Sequence, residues 1–196
     1  MAATTTQDDE PNRRDFIHLL AIGTTGVGAA AVAWPFIDQL NPAANVRALA
    51  SKEVDLSNIE VGQAIKVMWR GKPVFIRRRT DDEIEAAKNV ELSQLKDKVS
   101  RNANDEGADA SDAGRVTAAD GQARPEWLVL EGVCTHLGCI PLGTAQGEVK
   151  GDYDGWFCPC HGSHYDIAGR IRKGPAPENL PVPPYAFLSD TTIKIG

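Results

Sequence analysis

The chain opens on polar residues, and from Phe16 to Ile37 it carries an uncharged run, FIHLLAIGTTGVGAAAVAWPFI. As a helix rising about 1.5 Å per residue, this run spans about 33 Å, enough for the hydrocarbon core of a bilayer. Residues 1–15 read as a polar tail on the cytoplasmic side, 16–37 as a single transmembrane anchor, and 38–50 as a tether. Asn41-Pro42 should stop the helix. Trp34 suits a membrane interface, and His18 reads as an interfacial polar residue rather than a ligand. Arg13-Arg14 directly before the run fits a twin-arginine export signal, which carries folded cargo. A cleaved signal would need a cut after Ala33 or Ala50. We expect an uncleaved anchor with the remainder of the chain outside.

Beyond Ser51 the pattern changes to short alternating or apolar runs bounded by turn residues. KEVDLSNI, QAIKVMW and KPVFIRR read as strands, separated by Gly62 and by Gly71 to Pro73. Residues 80–89 carry a capping box, Thr80 with Glu83, and predict a short helix. Arg77 to Arg79 read as a solvated strand end or a partner contact. Residues 102–123 lack apolar periodicity and predict an exposed, mobile insertion. EWLVLEGV (126–133) and GWFCPC (155–160) predict strands that run into cysteines, and 185–196 predicts a closing hairpin. Repeated short strands with 18 Gly and 12 Pro place the body among all-β folds.

Charge adds an exclusion. A net charge of −6 gives no basic footprint, so nucleic acid is not the expected partner.

The candidate chemistry is confined to two boxes, CTHLGC (134–139) and CPCHGSHY (158–165), which hold all four cysteines and three of the four histidines. Cys134 with His136, and Cys158 with His161, offer one thiolate and one imidazole per box. Gly132, Gly138 and Gly162 would let backbone approach a cofactor closely. The ligand types fit a tetrahedral zinc site, and equally a [2Fe–2S] cluster with cysteines on one iron and histidines on the other. Zinc leaves Cys139 and Cys160 unexplained. If the boxes lie side by side, a disulfide between these two is open to an exported domain.

With CTHLGC, CPCHGSHY, the twin arginines, ALAS (48–51) and GPAPENLP (174–181), the chain resembles the Rieske iron–sulfur proteins of cytochrome bc1-type complexes. The resemblance implies an all-β head of stacked antiparallel sheets (51–196). A cluster-binding subdomain, about 127–184, would be inserted in a base domain of 51–126 and 185–196. It implies one [2Fe–2S] Rieske cluster held by Cys134 and Cys158 on the buried iron and by His136 and His161 on the outer iron, with a Cys139–Cys160 disulfide. Ser163 and Tyr165 would tune the cluster by hydrogen bonds. Gly174, Pro175 and Pro177 would cover it, Leu137 would pack near the docking surface, and His164 would be a bystander. Cytochrome b and cytochrome c1 are the implied partners, and ubiquinol the implied reductant. His161 is the implied hydrogen-bond and proton acceptor, with His136 beside it. The setting would be a dimeric complex in a bacterial inner membrane, its head periplasmic on a hinge at 41–50.

The ligand set has an electrostatic consequence. Two ferric irons, two sulfides, two thiolates and two neutral imidazoles sum to zero charge, whereas four thiolates leave an anion. An electron enters a neutral cluster more readily, consistent with the difference of about several hundred millivolts established between Rieske and plant-type centres.

Overall fold

The computed structural model describes residues 12–43, 46 and 50–196. Most of the expected tail, 1–11, and residues 44, 45 and 47–49 of the expected hinge lie outside the described residues. The chain divides into two units, Met1–Arg47 and Ala48–Gly196.

In the first unit, helix α1 spans Arg13–Asp38, and all its residues are exposed. Asn12 starts it: the Asn12 side chain accepts from the amides of Arg14 and Asp15, and the Asp15 carboxylate accepts the Asn12 amide in return. This box satisfies amides that the first turn leaves without partners. Within the span, the Thr24 hydroxyl donates to the Leu20 carbonyl at 2.9 Å, so it carries its own partner into an apolar medium. His18 accepts from Arg14 Nε at 3.4 Å, one turn back towards the polar end. By length and composition α1 is able to cross a membrane.

The second unit contains three antiparallel sheets of three strands each. Its strands are β1 (Lys52–Asp55), β2 (Ala64–Trp69), β3 (Lys72–Arg78), β4 (Trp127–Glu131), β5 (Asp154–Cys158), β6 (Ser163–Asp166), β7 (Ile171–Lys173), β8 (Tyr185–Ser189) and β9 (Thr192–Ile195). The sheet orders are β1-β9-β8, β2-β3-β4 and β5-β6-β7. Two short helices, α2 (Asp81–Lys88) and α3 (Asp112–Val116), lie between β3 and β4. Arg70 and Gly71, both with positive φ (48° and 76°), turn β2 into β3 in the manner of a two-residue hairpin. Val74, Phe75 and Ile76 of β3 are wholly buried on both faces, which explains a continuous apolar run where a half-exposed strand would alternate. Phe75 stacks on Trp156 of β5 with ring centroids 6.0 Å apart, joining the second sheet to the third. Strand β4 pairs with β3 along its whole length, from Trp127 opposite Arg78 to Glu131 opposite Val74.

Two expectations need correction. Arg77 and Arg79 are not a solvated strand end, being only 4% and 2% exposed. Arg77 pairs with Glu83 of α2. Arg79 grips both carboxylate oxygens of Asp112, at 2.6 and 3.1 Å, and also donates to the Pro125 carbonyl. Nor are residues 102–123 an exposed insertion: Ala110, Val116 and Ala118 are buried, and so are Asn102, Asp112 and Arg115. Arg115 donates to the carbonyls of Ala168 (2.9 Å), Leu180 (2.6 Å) and Ser100. This segment packs through polar side chains satisfied by backbone, so it has no apolar period to read.

Candidate metal centre

Two strands deliver the site. β4 leads into the first box, and β5 ends on Cys158 at the start of the second. Each box is closed by the same device. The Gly138 amide donates to the Cys134 carbonyl at 2.9 Å, and the Gly162 amide to the Cys158 carbonyl at 3.0 Å. Both glycines have the left-handed φ this turn requires, 85° and 73°. Gly132 is different. A Cβ there would strike the Phe75 ring, so this glycine serves core packing rather than the close cofactor approach expected of it.

The two loops are tied by the Cys139–Cys160 disulfide. Sulfur proximity alone would group Cys158 with this pair, all within 4.8 Å. The disulfide removes Cys139 and Cys160 as thiolate ligands and leaves Cys134 and Cys158 as free, buried thiols. His136 and His161 meet edge to face with ring centroids 4.7 Å apart. His136 is half-buried and His161 exposed. The free sulfurs therefore lie inside, and the paired imidazoles outside.

The surroundings favour sulfur anions. The Tyr165 hydroxyl donates to Cys134 Sγ at 3.3 Å, and the backbone amides of Cys160 and His161 point at the Cys158 sulfur. Burial pushes the Cys158 thiol up, against those two amides. Such a buried thiolate needs a cation, and donors aimed at the sulfurs suit ligated thiolates. Burial, followed by the Cys134 sulfur, pushes the Tyr165 phenol up as well, so it stays protonated and able to donate. The residues present thus fit an iron–sulfur group with a thiolate side and an imidazole side.

Above the boxes runs the segment Gly174 to Pro177. A Cβ on Gly174 would strike the Gly162 carbonyl, so the segment lies hard against the second box. Ala176 is wholly buried between the exposed Pro175 and Pro177. Its amide donates to Ser163 Oγ at 3.2 Å, which leaves the Ser163 hydroxyl hydrogen free to donate elsewhere. Leu137 stands 71% exposed at the tip of the first box. His164 is half-buried, accepts the Asp152 amide through Nδ1 at 3.0 Å, and packs on Phe157.

Sequence reading missed two residues. Thr135 donates to the Glu178 carbonyl at 2.7 Å, tying the first box to the residue after Pro177. Lys96 donates to the carbonyls of Gly174 and Ala176. Thr135 lies inside a box and was open to suspicion. Lys96 has no local signal, because its contacts are far away in sequence.

Comparison with known proteins agrees with this geometry. Residues 96–184 match the Rieske [2Fe-2S] domain, and residues 3–43 match the "Ubiquitinol-cytochrome C reductase Fe-S subunit TAT signal". The chain is 59% identical to the ubiquinol-cytochrome c reductase iron-sulfur subunit of Rhodospirillum rubrum, over 97% of this chain and 95% of that one. It is 53% identical to the protein of the same name from Rhodobacter capsulatus, over 97% and 98%. For that of Bradyrhizobium diazoefficiens the identity is 50%, over 98% and 99%. With the export motif, the anchor helix, the disulfide-tied boxes and these relatives in agreement along nearly its whole length, the chain belongs to the family of ubiquinol–cytochrome c reductase iron–sulfur subunits.

Proposed function

We propose that Cys134 and Cys158 hold the inner iron of one [2Fe–2S] group, that His136 and His161 hold the outer iron, and that the head works between ubiquinol at cytochrome b and cytochrome c1. The observation carrying this reading is the burial gradient: two free thiols inside, two imidazoles in contact at the surface. When bound, the cluster supplies a one-electron carrier at a neutral, high-potential centre. The chain's own residues do the rest. Tyr165 donates to the Cys134 sulfur, and the Ser163 hydroxyl hydrogen is free to point into the site. Pro175, Ala176 and Pro177 exclude water from the covered side. Leu137 offers an apolar contact at the rim for cytochrome b. His161, the exposed imidazole, accepts the hydrogen bond of a quinol hydroxyl, and then its proton, at the nitrogen not used for ligation; His136 lies beside it. His164, engaged with Asp152 and Phe157, takes no part.

The rest of the arrangement follows the same reading. Helix α1 is a single uncleaved anchor in a bacterial inner membrane, the arginines stay inside, and the head is periplasmic. The complex is dimeric. EPR of dithionite-reduced membranes, before and after a quinol-site inhibitor, tests cluster and docking together. A rhombic [2Fe–2S] signal that changes on inhibitor binding is expected. A protein holding zinc without acid-labile sulfide overturns the ligand assignment.

A further inference from the structure

The segment Gly174 to Pro177 has an unusual backbone problem. The peptides joining Gly174 to Pro175 and Ala176 to Pro177 have no N–H, so each presents only a carbonyl. Lys96 Nζ lies 2.7 Å from the Gly174 carbonyl oxygen and 3.2 Å from that of Ala176. One ammonium thus meets both acceptors that the prolines leave without a local donor. The proline rings fix φ at 175 and 177, and Lys96 fixes the carbonyls at 174 and 176, so constraints alternate along the loop.

The base of Lys96 is held on either side. Leu95 is 4% exposed, and the Asp97 carboxylate accepts the Asn179 amide at 3.0 Å, just past the cover. Among the described residues no carboxylate pairs with Lys96, so its charge is directed at the loop. The Ala176 carbonyl that Lys96 holds belongs to the residue whose amide donates to Ser163 Oγ. Ala176 is therefore gripped from both sides. Its amide occupies an acceptor position on the Ser163 oxygen, leaving the hydroxyl hydrogen for the site.

We propose that Lys96 is a positioning residue that clamps the cover loop and, through Ala176, sets the orientation of the Ser163 hydroxyl. The inference rests on the reading of 174–177 as the cover of the cluster, and two independent readouts separate the failure of one from the failure of the other.

The test compares Lys96→Met and Lys96→Arg with the parent, each in the assembled complex. Hydrogen exchange of the segment around Ala176 is read by mass spectrometry, and the midpoint potential by EPR-monitored titration. Lys96→Met is expected to speed exchange at the Ala176 amide about tenfold, as for a locally opened loop. It should also lower the potential, because the lost positive charge and the slackened Ser163 hydroxyl both disfavour the added electron. Lys96→Arg, which keeps charge and several donors, should recover most of both effects. Unchanged exchange in Lys96→Met overturns the clamp, even if the potential falls through charge alone. Faster exchange with an unchanged or raised potential overturns its effect on the site. A parent complex without a Rieske signal overturns the cluster assignment, while the exchange arm still decides whether Lys96 holds the loop.

Discussion

At the scale of single residues, Tyr165 and Ser163 do different work around the same site. Tyr165 is wholly buried, and its hydroxyl donates to Cys134 Sγ at 3.3 Å. A donor to a thiolate stabilises the more negative, reduced state most, so losing it should lower the reduction potential. Tyr165→Phe keeps the ring in the core and removes that donor, together with the acceptor of the Thr135 amide. If it forfeits about 1.4 kcal/mol of differential stabilisation, the potential falls by about 59 mV. Ser163→Ala should fall in the same direction and also loosen the cover, because the Ala176 amide loses its acceptor. EPR redox titration of both variants checks this, and potentials unchanged in both would sink the tuning role. These residues were legible in sequence because they share a box with the cysteines. Thr135 and Lys96 support the same site through contacts across 43, 78 and 80 positions, and no local pattern signals such a distance.

At the scale of elements, β1 to β5, the capped helix α2 and the closing hairpin were readable, whereas β6, β7 and the region 102–123 were not. Strands β3 and β4 announce themselves by continuous apolar runs, and the closing hairpin by its turn. The region 102–123 is ordered by Arg115, whose burial pushes its guanidinium down to about 9 while three carbonyls accept from it. Charge and polarity are surface signals in sequence, so a polar core reads as a loop. Arg115→Met should leave those carbonyls without their donor and destabilise the head by roughly 3 kcal/mol or more, measured by urea denaturation. Asp97 provides a pH test of the same region. Burial pushes its carboxyl up, but Arg101 and the amides of Asn179 and Val99 outweigh that and hold it below the ordinary carboxylate value. A carboxyl depressed in the folded state contributes stability that is full above its unfolded pKa, about 3.9, and lost as pH falls through the folded value. Asp97→Asn should therefore lower stability near neutral pH and flatten its decline in acid. Denaturation midpoints measured across the acid range would show parallel declines in both proteins if Asp97 had no such role.

At the scale of the whole molecule, the proposed swing of the head on its anchor rests on the stretch that joins the two units. The expected hinge, 41–50, has an Ala-rich sequence with no strong helical or strand period. Its far end is fixed in the structure: the Trp69 indole N–H donates to the Ala50 carbonyl at 3.0 Å, and Lys52 already begins β1. Trp69 is 6% exposed, so this bond draws Ala50 into the head unit. The expected hinge therefore ends before Ala50, and substitutions at Ala48 and Leu49 test it most directly. Proline at both positions fixes φ and biases each preceding residue towards extended backbone, which stiffens this stretch whatever its starting conformation. The proposed ligands, Cys134, His136, Cys158 and His161, lie far along the chain, and the hydrogen bonds around them are untouched. The EPR signal and the midpoint potential should stay as they are, while steady-state quinol–cytochrome c turnover falls about tenfold or more, as when a domain motion becomes rate-limiting. Flash-induced kinetics would locate the loss in the step between quinol oxidation and cytochrome c1 reduction. Unaltered turnover in the doubly substituted protein would mean that electrons reach cytochrome c1 without a large swing of the head, and that the short run before Trp69's anchor point is a spacer rather than a joint.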